Sequence, residues 1–183
     1  MFQSGKEKPQ THQKNTSRPE QTGAVIHGDL FDLPKECEGA TKGALFVDSG
    51  TSNSWLYFIN GKTEQHLAPV IKHLLSTVVS DGYTPRQIWY DGESAIRGNV
   101  IEDILEQYDI ELKLTPDSQQ NLAETKIDKL RTMAKHMVHD RSLDDTFWVH
   151  AFRYANMIST MIPHSRLESR TGISNICETR RHH

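Results

Sequence analysis

Between Ala24 and Pro163 the apolar residues keep two different periods, and the order of those periods restricts the fold more than any other feature. "AVIHGDL" (24–30), "GALFVDS" (43–49) and "SWLYFIN" (54–60) alternate and read as three strands in succession. The last two are joined by the polar turn "GTSN" and followed by Gly61. The period then lengthens. Leu67, Ile71, Leu74, Leu75 and Val78 fall on one stripe, which predicts an amphipathic helix over 64–80 that Asp81-Gly82 ends. "QIWYD" is a fourth strand, and Asn99 is placed to cap a helix through Tyr108, with Ile101, Ile104, Leu105 and Tyr108 inward. "IELKLT" is a fifth strand. A long helix is predicted over 118–139 on Ile127, Leu130, Ala134, Met137 and Val138, and a last one over about 143–161 on Trp148, Ala151, Phe152, Ala155 and Ile158.

Three consecutive strands suit an antiparallel meander. Two later strands, each reached through a helix, suit parallel additions. The expected architecture is α/β: a mixed five-stranded sheet, three strands antiparallel and two parallel, with helices on both faces. Residues 1–23 are nearly free of apolar side chains and read as a flexible polar arm, 24–167 as the folded domain, and 168–183 as an irregular tail.

Three acidic residues stand in places where a sheet protein concentrates its chemistry. Asp29 lies in the first strand, Asp91 ends the fourth, and Glu124 begins the long helix just off its apolar stripe. In an open sheet, ligand sites gather outside the carboxyl ends of central strands. Carboxylates brought together there repel one another unless a cation sits between them, and their hard oxygens suit Mg²⁺ or Mn²⁺. Singly, each has a structural reading: a strand-end residue facing water, an Asp-Gly turn, and a glutamate favoured by the positive end of a helix. Asp48 and Glu93 are rival carboxylates, Asp48 reading as structural or supporting.

The net charge of −3 and sequence pI near 6.4 argue against gripping a polyanion by overall charge, though not against a local basic face. Mean hydropathy is −0.62, and no apolar run reaches bilayer length or forms a signal core, so an intracellular protein without a membrane partner is expected. Cys37 and Cys177 allow one disulfide at most and no paired-cysteine metal site. His136 and His139 have helical zinc spacing but no third ligand at the usual interval. Ser49, Ser52 and Ser54 have no His/Asp arrangement beside them, and no phosphate-cradling glycine loop is present, so no small-molecule cofactor is expected.

Several segments, in order, resemble the integrase catalytic core of retroviruses and retrotransposons, closest to the copia type. "AVIHGDLFDLP" resembles the family's first strand running into a Pro loop, and "ALFVDSGTSNSWLYFINGKTE" its next two strands and the Lys-x-Glu that opens the helix. "IWYDGESA" stands at the second-aspartate position. "LTPDSQQNLAET" resembles the motif that carries the family's glutamate, and "MAKHMVHDRSLDDTFWVHAFRYANMISTMIPHSRL" the helix pair behind it. The match covers about residues 24–167.

This resemblance implies a ribonuclease-H-like fold, an acidic triad of Asp29, Asp91 and Glu124, and two Mg²⁺ or Mn²⁺ ions. Asp29 would bridge the ions and the other two residues would hold one each. It implies 3′-end processing and strand transfer on DNA phosphodiesters, by a multimer of the chain, in the nucleus. Gln120, Asn121, Lys126, Lys129 and Arg131 are the implied DNA contacts. This chain has Asn121-Leu122 where the family has Asn-Gly, and Gly92-Glu93-Ser94-Ala95 after the second aspartate. Thr125, Ile127 and Asp128 stand where basic and amide residues are common. The zinc module, the C-terminal DNA-binding domain and the reverse transcriptase that accompany the core do not lie in this sequence, which reads as a truncated, decayed or domesticated copy. Two alternatives stand beside this reading: a catalytically silent nucleic-acid-binding or protein-interaction module, and a ribonuclease-H-type nuclease.

Overall fold

A computed structural model of the chain describes residues 22–91, 94–115, 121–140 and 142–161. Five strands form one sheet in the order β3-β2-β1-β4-β5. β1 (Val25–Cys37), β2 (Ala40–Asp48) and β3 (Ser54–Ile59) make the antiparallel meander. β4 (Gln87–Tyr90) and β5 (Glu111–Leu114) add to β1 in parallel, as the intervening helices predict. β1 is longer than its alternating segment. It runs on through Pro34 to Cys37, with the register to β2 shifting between Asp32 and Cys37, where the resemblance had led to a Pro loop.

The two faces of the sheet hold separate cores. On one face Ile26, Phe46, Ile88 and Tyr90 meet α1 (Glu64–Ser80), whose stripe Leu67, Ile71, Leu74, Leu75 and Val78 is fully buried, together with α2 (Asn99–Gln107) through Ile101 and Leu105. On the other, Phe31, Leu33, Leu45 and Val47 meet α3 (Leu122–Asp140) and α4 (Trp148–Met161). Strand alternation explains the division: even positions of β1 up to Leu30 face α1, and odd positions from Phe31 face α3 and α4.

Three helix boundaries differ from expectation. α2 is capped at Gly98 rather than Asn99, because the Glu64 carboxylate of α1 accepts from Val100 N (2.6 Å) and Ile101 N (3.2 Å). α3 starts at Leu122, with residues 118–120 outside the described residues. α4 starts at Trp148, after a short 3₁₀ turn over Asp145–Phe147. Ile158 is only half-buried, and Ser159 takes the inward position expected for it.

Candidate functional site

The parallel pairing of β1 with β4 sets the site. Its last register pair is Gly28 with Tyr90, so Asp29 and Asp91 are the next residues on the two strands and stand side by side. Gly28 and Tyr90 face the α1 side. Alternation turns Asp29 to the opposite side, and Asp91 follows the last residue of β4. Asp29 is half-buried and Asp91 exposed, and Asp29 Oδ1 accepts from Leu30 N at 2.8 Å. No β-branched or bulky residue could replace Gly28, since a Cβ there would lie 2.7 Å from both Phe46 and Tyr90. Absence of that atom makes room for the Phe46 and Tyr90 rings over β1.

Glu124 reaches this end of the sheet through Asn121. The Asn121 side chain is buried (4% exposed) and caps α3, its Oδ1 accepting from Ala123 N at 2.9 Å. Its Nδ2 donates to the Gly28 carbonyl at 3.0 Å. Thr115, at the end of β5, donates its N–H to Tyr90 O. The first turn of α3, with Glu124 in it, is therefore tethered where the parallel strands end. Glu124 is exposed. Asn121 and Glu124 occupy the N-cap and third helical positions, a spacing that reads as a helix start in sequence.

The donors are the hard oxygens that a divalent cation takes. Among the described residues, however, no three His, Cys, Asp or Glu side chains come together closely enough to hold a metal ion. Asp29 and Asp91 form the paired part of the proposed set, and Glu124 stands on the neighbouring helix turn.

The other residues expected at DNA have mixed positions. Gln120 lies outside the described residues. Asn121 is committed to the helix cap and to Gly28, so its amide faces the interior. Lys126 is half-buried and reaches across to the β2–β3 turn, donating to Ser52 O at 3.4 Å. Burial, reinforced by the charge of Lys129, pulls its ammonium pKa down to about 8. Lys129 and Arg131 are exposed, and Arg131 Nη1 lies 2.7 Å from Asp128 Oδ1, which neutralises it locally.

The rival Asp48 lies elsewhere. It pairs with Ile26, three residues before Asp29 on β1, and is 1% exposed. Its carboxylate accepts from Gly23 N (2.8 Å), Thr51 N (2.8 Å) and Thr51 Oγ1 (2.7 Å), the work of a turn-building residue. Glu93 falls outside the described residues. His136 lies 3.5 Å from Asp140, and His139 packs edge-on to Trp148, so the two rings serve separate contacts.

Sequence reasoning missed one feature beside the aspartates. His27 and Trp89, an in-register pair two positions before Asp29 and Asp91, stack with centroids 5.8 Å apart and planes 26° apart. The alternation of "QIWYD" signalled that Trp89 faces away from Ile88 and Tyr90. It could not say that His27 would be the ring beside it.

No helix among the described residues is long and apolar enough to cross a membrane. Compared with known proteins, the chain matches no protein-family model, and no curated protein matches it.

Proposed function

We propose that this chain is an integrase-type catalytic core on a ribonuclease-H-like fold, acting on DNA phosphodiesters at Asp29, Asp91 and Glu124. The observation that carries the reading is the adjacency of Asp29 and Asp91 one step beyond the Gly28–Tyr90 pair, with the α3 turn bearing Glu124 tethered to the same strand by Asn121. Aspartates gathered where parallel strands end offer the hard oxygens that a divalent cation takes. Mg²⁺ or Mn²⁺, as a pair, would supply an activated nucleophile and stabilise the leaving oxygen of an in-line displacement. Asp29 and Asp91 are the residues to hold it, with Glu124 as the third ligand. Asp29 stands within β1, Asp91 directly follows β4, and the Asn121 tether holds the helix turn of Glu124 to the same strand. DNA ends and target DNA are the proposed substrates, a multimer of the chain the working form, and the nucleus its place of action.

The test is a Mn²⁺-dependent strand-transfer assay on short duplexes. Joined products from the wild-type chain, absent from Glu124→Gln, support the reading; equal background from both rejects catalysis by this chain. Hybrid cleavage without joining would point instead to a ribonuclease-H-type nuclease.

One observation favours a second reading. The three carboxylates do not close on a single point among the described residues, and Asp128 neutralises Arg131 nearby. A catalytically silent module that binds nucleic acid or protein on the same fold accounts for both. Calorimetric Mn²⁺ binding that Asp91→Asn abolishes would exclude this second reading, and its absence would favour it.

A further inference from the structure

The two edges of the sheet are built differently. β5, at one edge, carries Glu111 and Lys113, and charges along a margin are a common guard against pairing with another strand. β3, at the other edge, reads Ser-Trp-Leu-Tyr-Phe-Ile and has no charge, no proline and no bulge. Its main-chain groups divide by alternation. Asp48 N donates to Asn53 O at 2.9 Å, so Asn53 turns its groups toward β2, and Trp55, Tyr57 and Ile59 do the same. Ser54, Leu56 and Phe58 therefore turn theirs outward. In accord with this, Ser54 O accepts from Asn156 Nδ2 of α4 at 3.3 Å. The N–H and C=O groups of Leu56 and Phe58 take part in no hydrogen bond among the described residues. Trp55, Leu56 and Tyr57 are half-buried, whereas their register partners Phe46, Leu45 and Ala44 on β2 are 0% exposed.

We infer that β3 pairs antiparallel with β3 of a second copy of the chain, about a two-fold axis at Tyr57, and joins two five-stranded sheets into one. The inference goes beyond the function proposed above and does not depend on the acidic site. The outward groups set the register. Asn156 already holds Ser54 O, so the free edge is Leu56 to Phe58. Leu56 then lies opposite the second copy's Phe58, each such pair exchanging both of its bonds. Tyr57 meets its own counterpart, and Trp55 meets the second copy's Ile59. Every side chain of these pairs is apolar or aromatic. Continued past the strand ends, the same register sets Lys62 opposite Ser52 and brings no two like charges together. That self-match is what an isologous interface requires, and it is the reason for assigning the edge to a second copy. The flank agrees. The axis stands normal to the sheet, so the α4 helices of both copies lie on one side of the seam. α4 runs along β3, with Arg153 over the Phe58 ring and Asn156 at Ser54. Arg153 is paired with Glu38, and Met157, one turn on, is 45% exposed. The two helices thus meet without opposing free charges.

Sedimentation velocity of the whole chain should show a monomer–dimer equilibrium. In hydrogen exchange, the amides of Leu56 and Phe58 should be protected where the dimer forms and lose that protection on dilution. Tyr57→Lys sets like charges face to face and should raise the dimer dissociation constant roughly 10-fold. A second readout does not depend on how that variant folds. Directly opposed residues of a non-hydrogen-bonded pair stand about 4.5 Å apart at Cα, within disulfide reach. Tyr57→Cys, in a Cys177→Ser background, should therefore give a disulfide-linked dimer on mild oxidation, and Leu56→Cys in the same background should not. A chain that stays monomeric at every concentration overturns the inference, whether the edge takes nothing or takes a strand of another protein. A dimer in which the Leu56 and Phe58 amides exchange freely overturns it too, as does one unchanged by Tyr57→Lys, because the copies then meet elsewhere.

Discussion

The side-chain amide of Asn121 donates to the main-chain carbonyl of Gly28 across 93 positions of sequence, at 3.0 Å. One hydrogen bond thereby links the start of α3 to the residue before Asp29. The same side chain caps the helix, so Asn121 satisfies a strand carbonyl and a helix amide at once. Removing it leaves both groups without their partner in a buried place. Asn121→Ala should destabilise the chain by about 1–3 kcal/mol in denaturant unfolding. If the proposed site is correct, it should also weaken Mn²⁺ binding more than a cap mutation remote from the site, such as Asp144→Ala.

Asp48 is the internal control for the site. It is a buried strand-end aspartate whose carboxylate accepts three hydrogen bonds from Gly23 and Thr51. Asp48→Ala strands those donors and should cost about 1–3 kcal/mol. Because its carboxylate is committed to Gly23 and Thr51 rather than to the site, any folded fraction should bind Mn²⁺ with unchanged affinity in calorimetry. A loss of binding would mean that the wrong strand ends had been chosen.

Glu64 and Gly98 are a matched pair. The Glu64 carboxylate fills the place that a Cβ on Gly98 would occupy, 2.0 Å from its Cδ, and from there it caps α2. Glu64→Ala should cost about 0.5–2 kcal/mol, the usual worth of an N-cap. Gly98→Ala must displace the same carboxylate, so the double variant should be less destabilised than the sum of the singles. Additive losses in equilibrium unfolding would show that the two positions act separately.

The Lys126 ammonium carries a pH signature. Its folded pKa, about 8, lies below the ordinary 10.5, so between those values the unfolded chain binds more protons. Stability then rises with pH from about 8 toward 10.5, as the buried lysine is relieved of its charge; below 8 its penalty is present in full. Lys126→Met should stabilise the chain at pH 7 and flatten that rise. Tyr57, whose pKa burial pushes up to about 12, acts in the opposite direction above pH 10, and comparing the two chains cancels its effect. Parallel pH–stability curves for wild type and Lys126→Met would contradict the assignment.

What the sequence determined by itself was everything carried by local period and spacing. The three alternating runs, the two helix-separated strands and the stripes of α1 and α3 all read correctly, because burial on one face imposes a period of two or of 3.6 on neighbouring residues. The strand-end position of Asp91 and the first-turn position of Glu124 belong to the same class of information. Relations between distant segments decided the rest. Only the β1–β4 register sets Asp29 beside Asp91, and only the β1–β2 register sets Asp48 opposite Ile26 instead. Only the fold brings the Glu64 carboxylate to Val100, and so moves the α2 cap from Asn99 to Gly98. The stacking of His27 on Trp89 was equally invisible, since alternation tells which way a side chain points but not which ring lies beside it. A carboxylate, an amide or an indole has its chemistry in the chain, but what it does depends on what the packing of helices against the sheet places beside it.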